Sequence, residues 1–193
     1  MGNGLHRPES GRQRLALAVV LVLAVWLPAV AAAQEPRLSP VRRTTIMTAD
    51  VEASLRFYRD LLGFTVEYDV PVTDPGQLAL IAPGALRGRA IALRQGARLG
   101  GSVGLSWVDT LRPAAGGCDL VPQAGKTAML ILTDNLPALY ARLKAAQVPF
   151  VTGPVAYDQS RGPTDAFTVF DPNCVRVAFA QIQNESFEQS LDK

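Results

Sequence analysis

The sequence predicts an α+β protein in which paired βαβββ modules form a curved mixed sheet around a cavity, with helices on the outer face. Three observations carry this. A strand-like stretch, a capped amphipathic helix and further strand-like stretches occur in that order twice. The two runs match at a constant offset of 85 residues: Ile46 falls on Ile131, Thr48 on Thr133, Asp50 on Asn135, Val51 on Leu136, Leu55 on Tyr140 and Tyr58 on Leu143. A run held in one register points to internal duplication. Finally, setting aside residues 1–33 leaves 160 of the 193 residues, enough for one domain with a real core.

Residues 1–33 read as a signal peptide. Arg7, Arg12 and Arg14 make a basic start, Leu15 to Val30 is apolar, and Ala31-Ala32-Ala33 has the small-residue pattern of a cleavage site before Gln34. The alternative is a membrane anchor, but the apolar run is shorter than the roughly 20 residues a spanning helix needs, and Pro28 interrupts it. The mature chain is therefore expected in the periplasm or secreted, with no stable membrane insertion after cleavage. The segment holds three of the 19 Lys+Arg and one of the 17 Asp+Glu, so the mature chain has 16 of each and no net charge. Nucleic acid is not an expected partner. The single histidine, His6, also leaves with the segment. That excludes His-dependent catalysis and imidazole metal sites.

Residues 41–48 are rich in β-branched side chains and read as a strand. Asp50 is a good N-cap. Val51, Leu55, Tyr58 and Leu62 then share one helical face, and Gly63 is placed to end the helix in a left-handed conformation. Residues 64–70, 77–81 and 89–94 read as strands divided by Pro71, Pro83-Gly84 and Gly88. Residues 96–124 read as a connection with a short strand at 103–108, where Trp107 packs the core. The glycines of 96–104 read as turn makers, since no phosphate-loop context surrounds them. The order then recurs: a strand at 127–133, Asn135 as N-cap with Pro137 in the first turn, a helix carrying Leu136, Tyr140 and Leu143, and a short strand at 148–151. Residues 152–165 read as a loop, followed by strands at 166–170 and 175–182 around the turn Asp171-Pro172-Asn173. These assignments give modules 41–112 and 125–182, together a domain of 41–182, and a polar tail at 183–193.

The stretch from Thr48 to Phe64 reads D-x-x-x-S-x-x-F-Y-x-x-x-L-G-F from Asp50 onward. It resembles the first helix of the vicinal oxygen chelate superfamily, the glyoxalase, bleomycin-resistance and extradiol dioxygenase type. Leu139 to Ala146 and Phe170-Asp171-Pro172-Asn173 resemble its second helix and last turn. Metal-dependent members hold a divalent ion with His and Glu from the strands. Carried over, those positions fall on Arg43, Ala128 and Ala178, with the fourth near Ala92. No Asp, Glu or His lies between Asp74 and Asp109. The resemblance thus arrives without its metal ligands, and no cofactor is expected.

Strand alternation places Arg43, Thr45 and Met47 on the cavity side, with Leu130 and Leu132 from the second module and Arg94 and Arg176 as further polar points. Each arginine has a plainer alternative as a solvated or carboxylate-paired side chain. Tyr157 and Arg161 are lid candidates if 152–165 closes over a ligand, and Asp158 and Asp165 become acids or bases only in that event. Ser102 and Ser106 have no His to activate them. Cys118 and Cys174 either form a disulfide, as an oxidising compartment permits, or stay separate thiols. The expected function is an exported, metal-independent binder of a small organic ligand, anionic if Arg43 and Arg176 face it. The alternatives are a glyoxalase-like lyase, isomerase or dioxygenase with a non-standard site, and a homodimeric interaction module with a vestigial cavity.

Overall fold

Among residues 39, 41–96, 101–113, 116–184, 186, 187 and 189, which the computed structural model describes, the element order is doubled. The first module contains β1 (Arg43–Met47), α1 (Val51–Leu55) running on as a π-helical stretch (Arg56–Leu61), β2 (Thr65–Val72), α2 (Pro75–Ile81), β3 (Gly88–Arg94) and β4 (Ser102–Val108). The second contains β5 (Ala128–Leu132), α3 (Leu136–Ala145), β6 (Phe150–Gln159), β7 (Gly162–Phe170) and β8 (Arg176–Ile182). The proposed signal segment lies outside the described residues.

Each module folds into a four-stranded mixed sheet, ordered β1-β4-β3-β2 and β5-β8-β7-β6. β1 runs parallel to β4 and β5 parallel to β8, while the remaining pairs are antiparallel. The duplication is visible in the elements themselves, since β1 and β5, and the starts of α1 and α3, keep the sequence offset. Both helices are capped as their sequences require: Asp50 accepts from Ala53 N at 2.8 Å and Asn135 from Ala138 N at 3.1 Å. Gly63 takes φ 77°, a value that favours glycine, and so ends α1.

α1 and α3 cover one face of each sheet, and α2 packs through Leu78 on the opposite face of the first, near Ala90 and Val108. Ile46, Leu55, Tyr58, Ile91, Leu93 and Leu105 of the first module join Leu136, Leu143, Phe167, Val177 and Phe179 of the second in one apolar core. Phe57 lies off the 3.6-residue stripe yet is buried. The wider π turn, marked by Leu62 N donating to Phe57 O, lets Phe57 and Tyr58 both face inward. Polar bonds join the modules. Tyr58 Oη donates to Asp171 Oδ2 at 2.9 Å, Asn173 Nδ2 to Ser54 Oγ at 3.0 Å, and Arg142 Nη1 to the Leu61 carbonyl at 3.1 Å.

Three sequence assignments need correction. Residues 77–81 are not a strand but belong to α2. Asp74 caps it by accepting from Gln77 N, Pro75 fits its first turn, and Leu78 packs with Val72, Ala85 and Val108. Residues 152–165 are not a loop; they form the β6–β7 hairpin, with Tyr157 paired to Thr164 and Arg161 in its turn. Finally, β4 is a full strand at the centre of its sheet, so Gly104 is a strand residue rather than a turn maker.

Candidate functional site

The faces turned away from α1 and α3 carry the candidate residues. On the first sheet, Thr45, Gly104, Ala92 and Tyr68 form one transverse row across β1, β4, β3 and β2. Four strands at sheet spacing make this row about 14 Å wide. Its centre has almost no side-chain volume. A Cβ placed on Gly104 would lie 2.7 Å from Arg43 Cδ and 2.7 Å from Thr45 Oγ1, so the Arg43 side chain occupies the space that a side chain there would fill. Arg43 Nη1 donates to the Tyr68 hydroxyl, and its guanidinium carbon lies 5.2 Å from the Tyr68 ring centroid. The two long side chains meet over Gly104 and Ala92, and Ala92 is completely covered.

Tyr68 was not among the residues singled out in the sequence. Plain alternation would place it with Val66, which packs on the core. A bulge intervenes: Val66 pairs with Leu93 but Tyr68 pairs with Ala92, so one extra residue on β2 turns Tyr68 to the open face.

The other arginines of this sheet are neutralised. Arg94 is ion-paired to Glu67. Arg89 Nη2 lies 2.7 Å from Asp69 Oδ2 and its Nη1 lies 2.9 Å from Glu52 Oε1. Those hydrogen bonds raise the Arg89 pKa above its ordinary value and hold the Asp69 carboxyl below the usual carboxylate range, so both groups stay charged. They sit in a cleft of about 660 Å³ on the helix side, lined also by Asp50 and Trp107. Trp107 is thus half-buried at a cleft wall rather than a core residue. Arg43 differs: among the described residues its partner is a neutral hydroxyl, and no carboxylate pairs with it.

Met47 lies beside Arg43 and Thr45 on the open face of β1 and is 38 % exposed. Leu130, the counterpart of Thr45 on the second sheet, is 65 % exposed, in a row with Ala178 and Thr168. Arg176 is engaged locally. Its Nη2 donates to the carbonyls of Asp119 and Leu120, and its guanidinium lies over the Phe170 ring at 5.7 Å. Leu132 lines a cleft of about 370 Å³ with Phe64, Leu62 and Arg142. The candidates therefore fall into two groups, one on each sheet, and Arg43 and Arg176 are not brought to one point by a bond or a shared cleft among those described.

Cys118 and Cys174 are joined as a disulfide, which ties the inter-module connection to the β7–β8 turn. Cys174 has φ 62°, a left-handed conformation costing a non-glycine residue roughly 1 kcal/mol. The same turn holds Asp171, 2 % exposed, whose Oδ1 accepts from Asn173 N and Val175 N at 2.8 Å each. Burial raises the Asp171 pKa, while these donors and Tyr58 oppose the rise.

The positions that would hold the family's divalent ion do not fit one. Arg43 is a cation, and Ala128, Ala178 and Ala92 supply no donor atom. No cluster of three or more His, Cys, Asp or Glu suited to a metal occurs among the described residues.

A family model described as Glyoxalase/Bleomycin resistance protein/Dioxygenase superfamily matches residues 41–179. Among solved structures, a glyoxalase family protein from Bacillus cereus is similar over 78% of this chain and 98% of its own, with a TM-score of 0.64 and 13% identity. The trypanothione-dependent glyoxalase I of Leishmania major is similar over 75% of this chain and 87% of its own, with a TM-score of 0.52 and 16% identity. At such identities the likeness is one of fold. A search of curated proteins finds no match.

Proposed function

The chain belongs to the Glyoxalase/Bleomycin resistance protein/Dioxygenase superfamily, and from that premise we propose that it is an exported, metal-independent binder of a small organic molecule. One observation carries the reading. Where metal-dependent relatives place their ligands, this chain has Arg43 and alanines, and the Arg43 side chain is laid across that part of the sheet. A fixed organic cation stands in for a metal ion. Such a site offers charge and hydrogen-bond donors without Lewis acidity or an activated water, which suits holding a ligand better than transforming it. Export follows from the N-terminal sequence, and a disulfide accords with an oxidising compartment.

Native mass spectrometry of the protein purified from the envelope or medium tests this. The expected spectrum shows the processed chain, with an organic adduct that survives chelator treatment. Turnover of a candidate ligand that depends on an added metal would overturn the reading.

A second reading has its own support, the exposure of Leu130 and Met47 on the edge strands β5 and β1. Apolar residues so placed suit an interface, and a homodimer pairing these faces would enclose a cavity. Sedimentation equilibrium tests it: a monomer at all accessible concentrations would remove it.

A further inference from the structure

We infer that the Arg43–Tyr68 pair is a carboxylate receptor, and that Gly104 determines its specificity by leaving the trough through which Arg43 reaches Tyr68. This inference rests on the proposed binding function and names the ligand class for that same site.

The other arginines of this sheet find carboxylates, Arg94 on the same open face with Glu67 and Arg89 on the opposite face with Asp69 and Glu52. Arg43 instead meets a phenol. The phenol fixes the guanidinium in place without cancelling its charge. Only Nη1 is engaged by Tyr68, so the Nε–Nη2 edge has no partner among the described residues. That edge is a planar pair of parallel donors, the geometry that a carboxylate accepts at two points. Prior fixation by Tyr68 also lowers the entropy lost when a ligand binds.

The surroundings define the rest of the ligand. Thr45 places a hydroxyl beside the Arg43 stem, and Met47, two residues along the same face, offers an adaptable apolar contact. The ligand class is therefore a monocarboxylate with a compact apolar body.

Gly104 gives the inference its sharpest test. It lies within β4 between Thr45 and Ala92, and any side chain there would take the place now held by Arg43 Cδ. Gly104→Ala keeps the charge of Arg43 but displaces it from Tyr68. Its nearest obstacles are side-chain atoms of Arg43 and Thr45, which can rotate, so the fold is expected to survive.

The experiment uses benzoate and its uncharged isostere benzamide, titrated into the mature protein and followed by amide chemical shifts. Saturable benzoate shifts at Ala92, Gly104 and Tyr68 are expected, with benzamide binding about tenfold or more weakly. Arg43→Gln should erase the preference. Gly104→Ala should weaken benzoate about tenfold while the remaining amide spectrum stays dispersed, and Tyr68→Phe should weaken it a few-fold. Equal binding of the two probes, or an undiminished preference in Arg43→Gln, would overturn the inference. So would the absence of benzoate shifts in wild type. A chelator-resistant organic adduct in the native spectrum would still uphold the binding function in each of those cases, so the two readings fail separately.

Discussion

Replacing Tyr58 by Phe removes one oxygen from the contact that joins the two modules. The hydroxyl donates to Asp171 Oδ2 at 2.9 Å, and both groups are buried. Without it, Oδ2 keeps only the Asn173 side-chain amide at 3.2 Å, while Oδ1 keeps its two backbone donors. The ring stays, with its edge contacts to Phe57 at 4.9 Å and Phe64 at 6.1 Å. The change therefore isolates one hydrogen bond to a charged acceptor, a loss of about 1.5–3 kcal/mol. Its pH dependence follows from Asp171. Burial raises the folded-state pKa above the unfolded value, so the stability Asp171 contributes is fully present below the unfolded pKa and is lost as pH rises through the folded one. The Tyr58 bond opposes that rise, so Tyr58→Phe lets the folded pKa climb further. The cost of the substitution should thus be small in acid and grow as Asp171 ionises. Tyr58 itself remains a donor throughout, because burial and then the Asp171 charge push its pKa well above the ordinary phenol value. Urea unfolding of both proteins at about pH 4 and about pH 8 measures the difference. An equal loss at both, or a loss below about 0.5 kcal/mol at the higher pH, would show that the Tyr58 hydroxyl does not support the Asp171 carboxylate.

Two further outcomes are expected. The Cys118–Cys174 bridge spans 56 residues, which in the chain-entropy model corresponds to about 4 kcal/mol. Denaturation of the Cys118→Ser, Cys174→Ser double variant against the oxidised wild type measures it, and equal stabilities would contradict the assignment. N-terminal sequencing of protein recovered from the envelope or medium should begin at or near Gln34; an intact Met1 on a cytoplasmic form would remove the export claim.

Much of the fold was legible because duplication repeats its physical signals. Caps at Asp50 and Asn135, the apolar stripe through Leu55 and Tyr58, and the glycine at the end of α1 are local features whose chemistry does not depend on distant residues. The failures share a cause. In α2 the run Gln77 to Ile81 is too short for periodicity to separate helix from strand, and the Asp74-Pro75 cap was the deciding signal. In β6, Gly153 and Pro154 look like loop residues, yet β6 is an edge strand, where a proline forfeits no essential ladder bond.

The site was legible only in part, for the same kind of reason. The position of Arg43 came from the motif spacing. Tyr68 did not, since a β-bulge reverses a side chain's face without marking the sequence. Gly104 lies in a glycine-rich stretch and carries no sign that its missing Cβ serves a neighbour on another strand. Arg176 illustrates the converse, an arginine in the expected register whose donors are engaged by the carbonyls of Asp119 and Leu120.

In the function proposed above, Arg43 and its alanine neighbours hold a ligand without a metal. Elemental analysis of the mature protein, purified without a metal-affinity tag and coupled to benzoate titration before and after chelator treatment, tests it most directly. No stoichiometric divalent metal and an unchanged benzoate affinity are expected. One zinc, iron, nickel or manganese per chain, with binding or an activity lost on its removal, would contradict it.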